Sequence, residues 1–228
     1  MARLDPSRIL AAWEGGQGRR PLDRALVVLW AAGLGGGDLA DWPLERRDRA
    51  LLETRRALLG ERLALAVPCE GCDAELEIDL SVSDLLAGLP VPSGAPVQAA
   101  GHEIALRPLT SVDLAAMVAA PEDSAADVIR ARLAGPVPEA ARAAVDAEIE
   151  RRAGAAELKV RLSCPDCGAD WAEPLDLPGL VWTEIEAAAR RLLEEVADLA
   201  RAFGWSEPQV LALSPARRAA YLSLARAA

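Results

Sequence analysis

Histidine is nearly absent from this chain of 228 residues: His102 stands alone. One imidazole without supporting partners does not assemble into a Ser-His-Asp or Cys-His constellation, and none can be built from the sequence. Aromatic residues make up 4%, with a single Phe and a single Tyr, and basic–aromatic clusters of the kind that bind single-stranded nucleic acid are missing. No apolar run approaches the ~18–20 residues that a membrane-crossing helix requires. The stretch from Met1 to Asp5 lacks the apolar core and cleavage pattern of a signal peptide. Cytoplasmic synthesis is therefore expected, where thiols stay reduced and disulfides are rare. The formal net charge is −10, which repels phosphate backbones unless a basic patch is segregated. The arginines are scattered beside acids instead, as in Glu45-Arg46-Arg47-Asp48-Arg49. No nucleic-acid, membrane or small-molecule partner is expected.

Hydrophobic residues at 52% and charged residues at 26% give the balance of a globular chain. Residues 1–60 read as helical. Ile9, Leu10 and Trp13 mark a first helix ending in Gly15–Gly18. Pro21 opens a second, from Leu22 to Ala32, whose face of Leu26, Val27, Leu29 and Trp30 predicts burial. Pro43 starts a third, with Leu44, Leu51, Leu52, Leu58 and Leu59 on one face and Gly60 as its stop. The glycine runs at Gly15–Gly18 and Gly33–Gly37 lack the flanking residues of a phosphate loop and read as turns.

After Gly60 the period changes from helix to strand. Leu63, Leu65 and Val67 alternate up to Cys69, and Leu76, Ile78 and Leu80 alternate after Cys72. Asp84 to Ala87 reads as a helical turn and Gly88 to Gly101 as an exposed loop. His102 to Arg107 reads as a strand, followed by helices capped at Thr110 or Ser111, at Ser124–Leu133 and at Glu139–Arg152, with Gly154 as the last stop. The hairpin pattern then returns: Leu63-x-Leu65-x-Val67-x-Cys69-x-x-Cys72-x-Ala74-x-Leu76 overlays Leu158-x-Val160-x-Leu162-x-Cys164-x-x-Cys167-x-Ala169-x-Trp171. The final fifty residues predict a long helix capped by Thr183, with Glu186–Arg190 and Arg191–Glu195 as exposed pairs. Gly204 stops it, Ser206 with Gln209 opens a short helix, and Ser214-Pro215 opens the last.

Cys69, Cys72, Cys164 and Cys167 are all the cysteines of the chain. A Cys-x-x-Cys turn after a strand supplies two corners of a tetrahedron, and two such knuckles supply all four ligands of one zinc-thiolate site. A thioredoxin-like redox pair accounts for one Cys-x-x-Cys but not two with matching flanks. Disulfides suit an exported chain, and the common iron–sulfur spacings differ. Four thiolates close the metal's shell, whereas catalytic zinc keeps a position open. A structural Zn2+ site and no active site is the expectation, with His102, at a strand start after a loop, a surface or loop histidine. The six tryptophans read as anchors where elements meet, with Trp182 or Trp205 the candidates for a partner interface.

The order of segments also carries a resemblance. It runs through Pro21-Leu22-Asp23-Arg24-Ala25-Leu26, Arg47-Asp48-Arg49-Ala50-Leu51-Leu52, the first knuckle, and His102-Glu103-Ile104-Ala105-Leu106-Arg107-Pro108-Leu109-Thr110-Ser111-Val112-Asp113-Leu114. Cys164-Pro165-Asp166-Cys167-Gly168, Val181-Trp182-Thr183-Glu184-Ile185 and Gly204-Trp205-Ser206-Glu207-Pro208 through Arg218 complete it. This resembles zinc-ribbon proteins encoded among the baseplate genes of contractile phage tails and related injection systems, and is similar to their baseplate-hub assembly chaperones. The resemblance implies a non-enzymatic baseplate component or assembly factor whose partners are baseplate or hub proteins, and carries over only the four cysteines as site residues. The alternative is a zinc-ribbon adaptor acting on nucleic acid or the transcription machinery.

The resulting expectation is an α+β chain: a helical region at 1–60, a split zinc ribbon at 61–178 and a helical region at 179–228. The ribbon's knuckles fall at 61–80 and 158–178, with strand and helices inserted at 81–157. Metal analysis of purified protein is expected to return about one zinc per chain, the capacity of a single four-thiolate site; metal-free protein from a zinc-replete preparation would exclude the site.

Overall fold

A computed structural model describes residues 6–35, 37–89, 91 and 94–227. Met1–Asp5, Gly36 and the Pro90, Pro92 and Ser93 positions of the expected 88–101 loop lie outside the described residues. The chain is mostly helical with three separate two-stranded antiparallel sheets, an arrangement compatible with α+β. No described helix is long and apolar enough to cross a membrane.

The axis of the molecule is α8, Leu177–Phe203. It begins six residues before Thr183, because Asp176 accepts the Gly179 N–H and caps the helix, with Pro178 in the first turn. Thr183 is interior and donates to the Gly179 carbonyl at 3.0 Å. Val181, Trp182, Ile185, Ala188, Ala189 and Leu192 line a buried stripe. Against it pack α1 (Pro6–Gly16), α2 (Pro21–Leu29) and α3 (Leu44–Leu59), through Leu10, Val28 and Leu51 among others. Trp182 is thus a core residue rather than an interface residue. A Cβ on Gly16 would overlap its ring, so the helix crossing needs glycine there.

The expected burial of Trp30 is wrong: α2 passes at Trp30 into a π turn, Trp30–Leu34, and the indole is 63% exposed. Gly33, at φ 88°, takes the left-handed conformation that turns the chain. Even in a regular helical repeat, Trp30 points away from the stripe on which Ala25, Val28 and Leu29 are buried.

Leu51 and Leu52 of α3 face different cores. Leu51 belongs to the α1–α2–α8 cluster, while Leu52 meets Leu63, Val82, Leu85, Leu158 and Leu177. This second cluster seats both ribbon hairpins on the helices. The first hairpin pairs β1 (Arg62–Pro68) with β2 (Glu75–Ser81), and the second pairs β5 (Lys159–Ser163) with β6 (Asp170–Pro174). Helix α4, Val82–Gly88, follows β2 directly, capped by Ser81. Arg55 fastens the junction: its buried guanidinium grips both Glu184 oxygens at 2.6 and 2.8 Å and donates to the Gly60 and Arg62 carbonyls at 2.6 Å.

The insertion differs from expectation in its strands. Val97–Ala99, expected within a loop, is β3; it pairs with β4, His102–Ile104, which is shorter than the predicted 102–107 strand. Ala100 and Gly101, both at positive φ, make a two-residue hairpin turn. Beyond Ile104 the chain turns towards α6, where the Arg107 N–H donates to the Leu133 carbonyl at 3.1 Å. The helices are α5 (Ser111–Ala119), α6 (Ala125–Ala134) and α7 (Arg142–Ala156), the last running through Gly154 instead of stopping there. Ile104, Leu106, Ile129, Leu133, Ala141 and Val145 form their small core.

An ionic knot sets the start of α5. Thr110 and Asp113 form a capping box, and the fully buried Asp113 carboxylate also accepts from Arg107, twice at 2.6 Å, and from Arg132 at 2.7 Å. Burial alone would raise the Asp113 pKa, but the hydrogen bonds from Arg107, Thr110 and Arg132 reverse this and hold it well below the carboxylate range. A depressed folded-state pKa stabilises the fold above the unfolded value, and that stability is lost only as pH falls through the folded value.

The last helices, α9 (Glu207–Leu211) and α10 (Pro215–Ala227), fold back on the end of α8. Gly204, at φ 70°, ends α8, and Ser206 with Gln209 makes the expected capping box. Arg191 does not take Glu195; Arg218 of α10 does, at 2.8 Å, while also donating to the Leu213 carbonyl.

Asp113→Asn should destabilise the insertion by about 3 kcal/mol, because two arginines lose their buried countercharge. Hydrogen exchange is the check: protection in α5 and α6 should fall while that of α8 persists.

Candidate metal centre

The two knuckles are copies down to their hydrogen bonds. The Cys69 N–H donates to the Ala74 carbonyl at 2.8 Å, and the Cys164 N–H to Ala169 at 2.9 Å. The Asp73 N–H donates back to the Cys69 carbonyl and the Gly168 N–H to that of Cys164, at 3.0 and 2.9 Å. Asp73 and Gly168, each four residues past the first cysteine, both have positive φ, at 58° and 73°. Asp tolerates that conformation better than most side chains, so one turn closes on Asp and the other on Gly. Above them, Val67 opposes Leu76 as Leu162 opposes Trp171.

The four cysteines converge. Their sulfurs all lie within 4.8 Å of one another, and none forms a disulfide. Contacts cross between copies: Cys69 Sγ lies 3.6 Å from Cys167 Sγ, and Cys72 Sγ 3.7 Å from Cys164 Sγ. The leading cysteines are buried and the trailing ones exposed. Such crossed pairing is what an approximate two-fold relation between the knuckles produces. A tetrahedral thiolate site with bonds of 2.3 Å has edges of about 3.8 Å, a separation that the two crossed pairs match and that the 4.8 Å limit on the whole group allows for the rest. The group includes no histidine or carboxylate among the described residues. His102 is exposed on β4.

The sulfurs are electrostatically unequal. The Ala74 N–H favours the Cys72 thiolate, but the sulfurs of Cys167, Cys69 and Cys164, together with burial, prevail and push its pKa up to about 12. Cys164 moves down to about 7, because the Cys167 and Asp166 N–H groups donate to it against the cost of burial. A metal ion entering this cluster displaces thiol protons, so its affinity rises with pH. With four sulfurs at its corners the ion would have no open position, and the arrangement can organise structure but offers no place for a substrate.

Sequence reasoning located the four cysteines but not the steric fit between knuckles. A Cβ on Gly71 would stand 3.1 Å from Ala169 Cβ and 3.2 Å from Cys167 Sγ. Its counterpart in the other copy is Asp166, an exposed residue. Comparison of the chain with known protein families, with curated proteins and with solved structures gives no match.

Gly71→Ala should therefore weaken metal binding, by about tenfold for a loss of 1.4 kcal/mol, while Asp166→Ala leaves it nearly unchanged. Competition with a chromophoric chelator measures both. Replacing Cys69 or Cys164 with Ser should loosen both hairpins together in hydrogen exchange; loosening of one alone would mean that the knuckles act separately.

Proposed function

We propose that this chain is a non-enzymatic structural or assembly protein of a contractile tail-like baseplate, held in shape by one zinc ion on Cys69, Cys72, Cys164 and Cys167. The observation that supports the structural part is the convergence of four sulfurs within 4.8 Å of one another, with two crossed pairs at 3.6 and 3.7 Å. Zinc suits it because its filled d-shell imposes no competing geometry and thiolates match its softness. Zinc binding contributes directly to folding, since the ligand pairs lie on hairpins that are marginal alone.

The baseplate assignment rests on the resemblance of the sequence segments. Their residues have definite structural work, which supports reading them as a scaffold of this chain's architecture rather than a reaction centre. Arg107 to Asp113 ties the insertion together, Val181 to Ile185 enters the core of α8, and Gly204 to Gln209 turns the chain back. Helical surfaces on either side of the ribbon would contact the hub or baseplate subunits, in the cytoplasm during assembly or within the particle.

Neighbouring genes for sheath, tube and baseplate subunits are expected, and co-expression should co-purify the tagged chain with a hub or baseplate subunit. Capture of DNA or RNA that salt removes, with no tail subunit bound, would instead establish the nucleic-acid adaptor reading.

A further inference from the structure

Each cysteine of one knuckle meets a partner of opposite exposure in the other. Cys69 and Cys164 are buried, whereas Cys72 and Cys167 are exposed. The crossed contacts join one of each kind, Cys69 with Cys167 at 3.6 Å and Cys164 with Cys72 at 3.7 Å. A disulfide holds its sulfurs about 2.05 Å apart, so each pair needs to close by only about 1.6 Å.

The surroundings favour that approach. Cys167 Sγ is lodged against the first knuckle's turn, 3.2 Å from where a Cβ on Gly71 would stand, and Cys69 Sγ lies 3.8 Å from the same point. Glycine at this position therefore keeps open the space in which the two sulfurs meet. The Cys69 N–H donates to Ala74 and its carbonyl accepts from Asp73, while Cys164 is held in the same way by Ala169 and Gly168. The backbone of each leading cysteine is thus fixed from both sides, and the trailing cysteine meets solvent. Bonds within a knuckle would leave the hairpins unlinked at their tips. Crossed bonds would instead join residues 98 and 92 apart in sequence.

We propose that the cluster is a clasp with two closed states. Reduced, it holds one metal ion; oxidised by a peroxide, it forms the disulfides Cys69–Cys167 and Cys72–Cys164, gives up the ion and still joins the hairpins. The proposal rests on the four-thiolate zinc reading for its reduced state. In the chemistry, an exposed sulfur, on Cys72 or Cys167, attacks one peroxide oxygen. The O–O bond breaks, one water leaves and a sulfenic acid remains. The buried sulfur of the other knuckle then attacks the sulfenic sulfur, the S–S bond forms, the S–O bond breaks and a second water leaves. Each disulfide thus takes two electrons from two cysteines and reduces one peroxide to two waters. Where the sulfurs start as metal-bound thiolates, solvent supplies the two protons. A chain assembled among reduced thiols and later carried into an oxidising exterior would keep its junction through the change.

The full-length zinc-loaded protein is treated stepwise with hydrogen peroxide, a chromophoric chelator reads the released zinc, and remaining thiols are trapped by alkylation. Glu70 lies between Cys69 and Cys72, and Asp166 between Cys164 and Cys167. Cleavage at these acids separates all four cysteines, so mass spectrometry reads their pairing. About two peroxides per chain should release all of the zinc in step with loss of the thiols. The joined peptides should be those of Cys69 with Cys167 and of Cys72 with Cys164. Hydrogen exchange of β1, β2, β5 and β6 should stay within about tenfold of the zinc-loaded protein. Reduction by a dithiol, with the chelator present, should then loosen both hairpins.

Disulfides within a knuckle or between chains, sulfinic or sulfonic acids without disulfides, or thiols that resist peroxide each overturn the proposal. So does hydrogen exchange that is indifferent to making and reducing the bonds. If the purified reduced protein carries no zinc, the zinc reading falls, and the pairing formed in that metal-free protein still decides the crossed bonds.

Discussion

The convergence of four sulfurs from two distant hairpins is the constraint on which the remaining architecture depends. Ninety-one residues separate Cys72 from Cys164, and bringing the ends of such a segment together costs about 4 kcal/mol of chain entropy. Neither hairpin can offset that alone, since an isolated two-stranded hairpin is marginal in water. Two things hold them: the sulfur cluster at their tips and the apolar cluster at their bases, where Leu63, Val82, Leu158 and Leu177 surround Leu52. The tips fix the hairpins to each other, and the bases fix them to α3 and α8. A metal ion at the tips would thus act on the whole junction, because a shift of either hairpin must disturb the packing of Leu52.

Arginine fastens most of what apolar contacts leave open. Arg55 ties α3 and the entry to β1 onto α8, Arg47 reaches Ser111 of α5 at 3.2 Å, Arg132 and Arg107 meet on Asp113, and Arg218 holds α10 to Glu195. Arg47, Arg55 and Arg218 span elements that are not neighbours in sequence, and several of these arginines also donate to backbone carbonyls at element ends. Guanidinium is suited to this work: it carries five donors in a rigid plane and is less strongly hydrated than an ammonium, so it enters partly buried sites at lower cost. The exposed pairs one helical turn apart, such as Glu186 with Arg190, contribute little by comparison.

This division explains what could be read from the sequence. Local signals were legible: the repeated alternation around the cysteines, the Ser206–Gln209 capping box, the glycine stop at Gly204 and the broad order of helices. Each depends on residues within one or two turns of the feature. The long-range partners were not legible, since Arg191 and Arg218 look equally suited to Glu195 until the path of α10 is known. Trp30 was misplaced because the helix is apolar nearly all round, so its pattern does not say which face turns inward; the stripe of Ala25, Val28 and Leu29 does, and Trp30 lies off it. The short β3 was hidden by the prolines and glycines around it, and its pairing with β4 comes from the turn at Ala100 and Gly101. Within the sulfur cluster, the grouping of the four cysteines follows from spacing, whereas the fit of Gly71 under Ala169 is a contact between copies that neither copy encodes alone.

The two knuckles also divide the chain into a part that must be held and a part that is free to vary its outer surface. Everything from α4 to α7 is an excursion that leaves one knuckle and returns to the other. Its own core is small, and the ionic knot around Asp113 adds to that apolar packing. Turning polar groups inward there leaves Leu114, Met117 and Val118 facing out, with the carboxylates of Glu45 and Glu150 at the margin. In a chain held only by its hydrophobic core this arrangement would be a defect, because those apolar side chains would be more useful inside. Here the excursion is pinned at both ends by the sulfur cluster and tied at Pro43 and Leu44 to the helical body, so its outward face is not required for the fold to stand. The clasp and the apolar outer face are therefore connected physically: anchoring the ends of the insertion lets its middle leave apolar side chains outside its own small core.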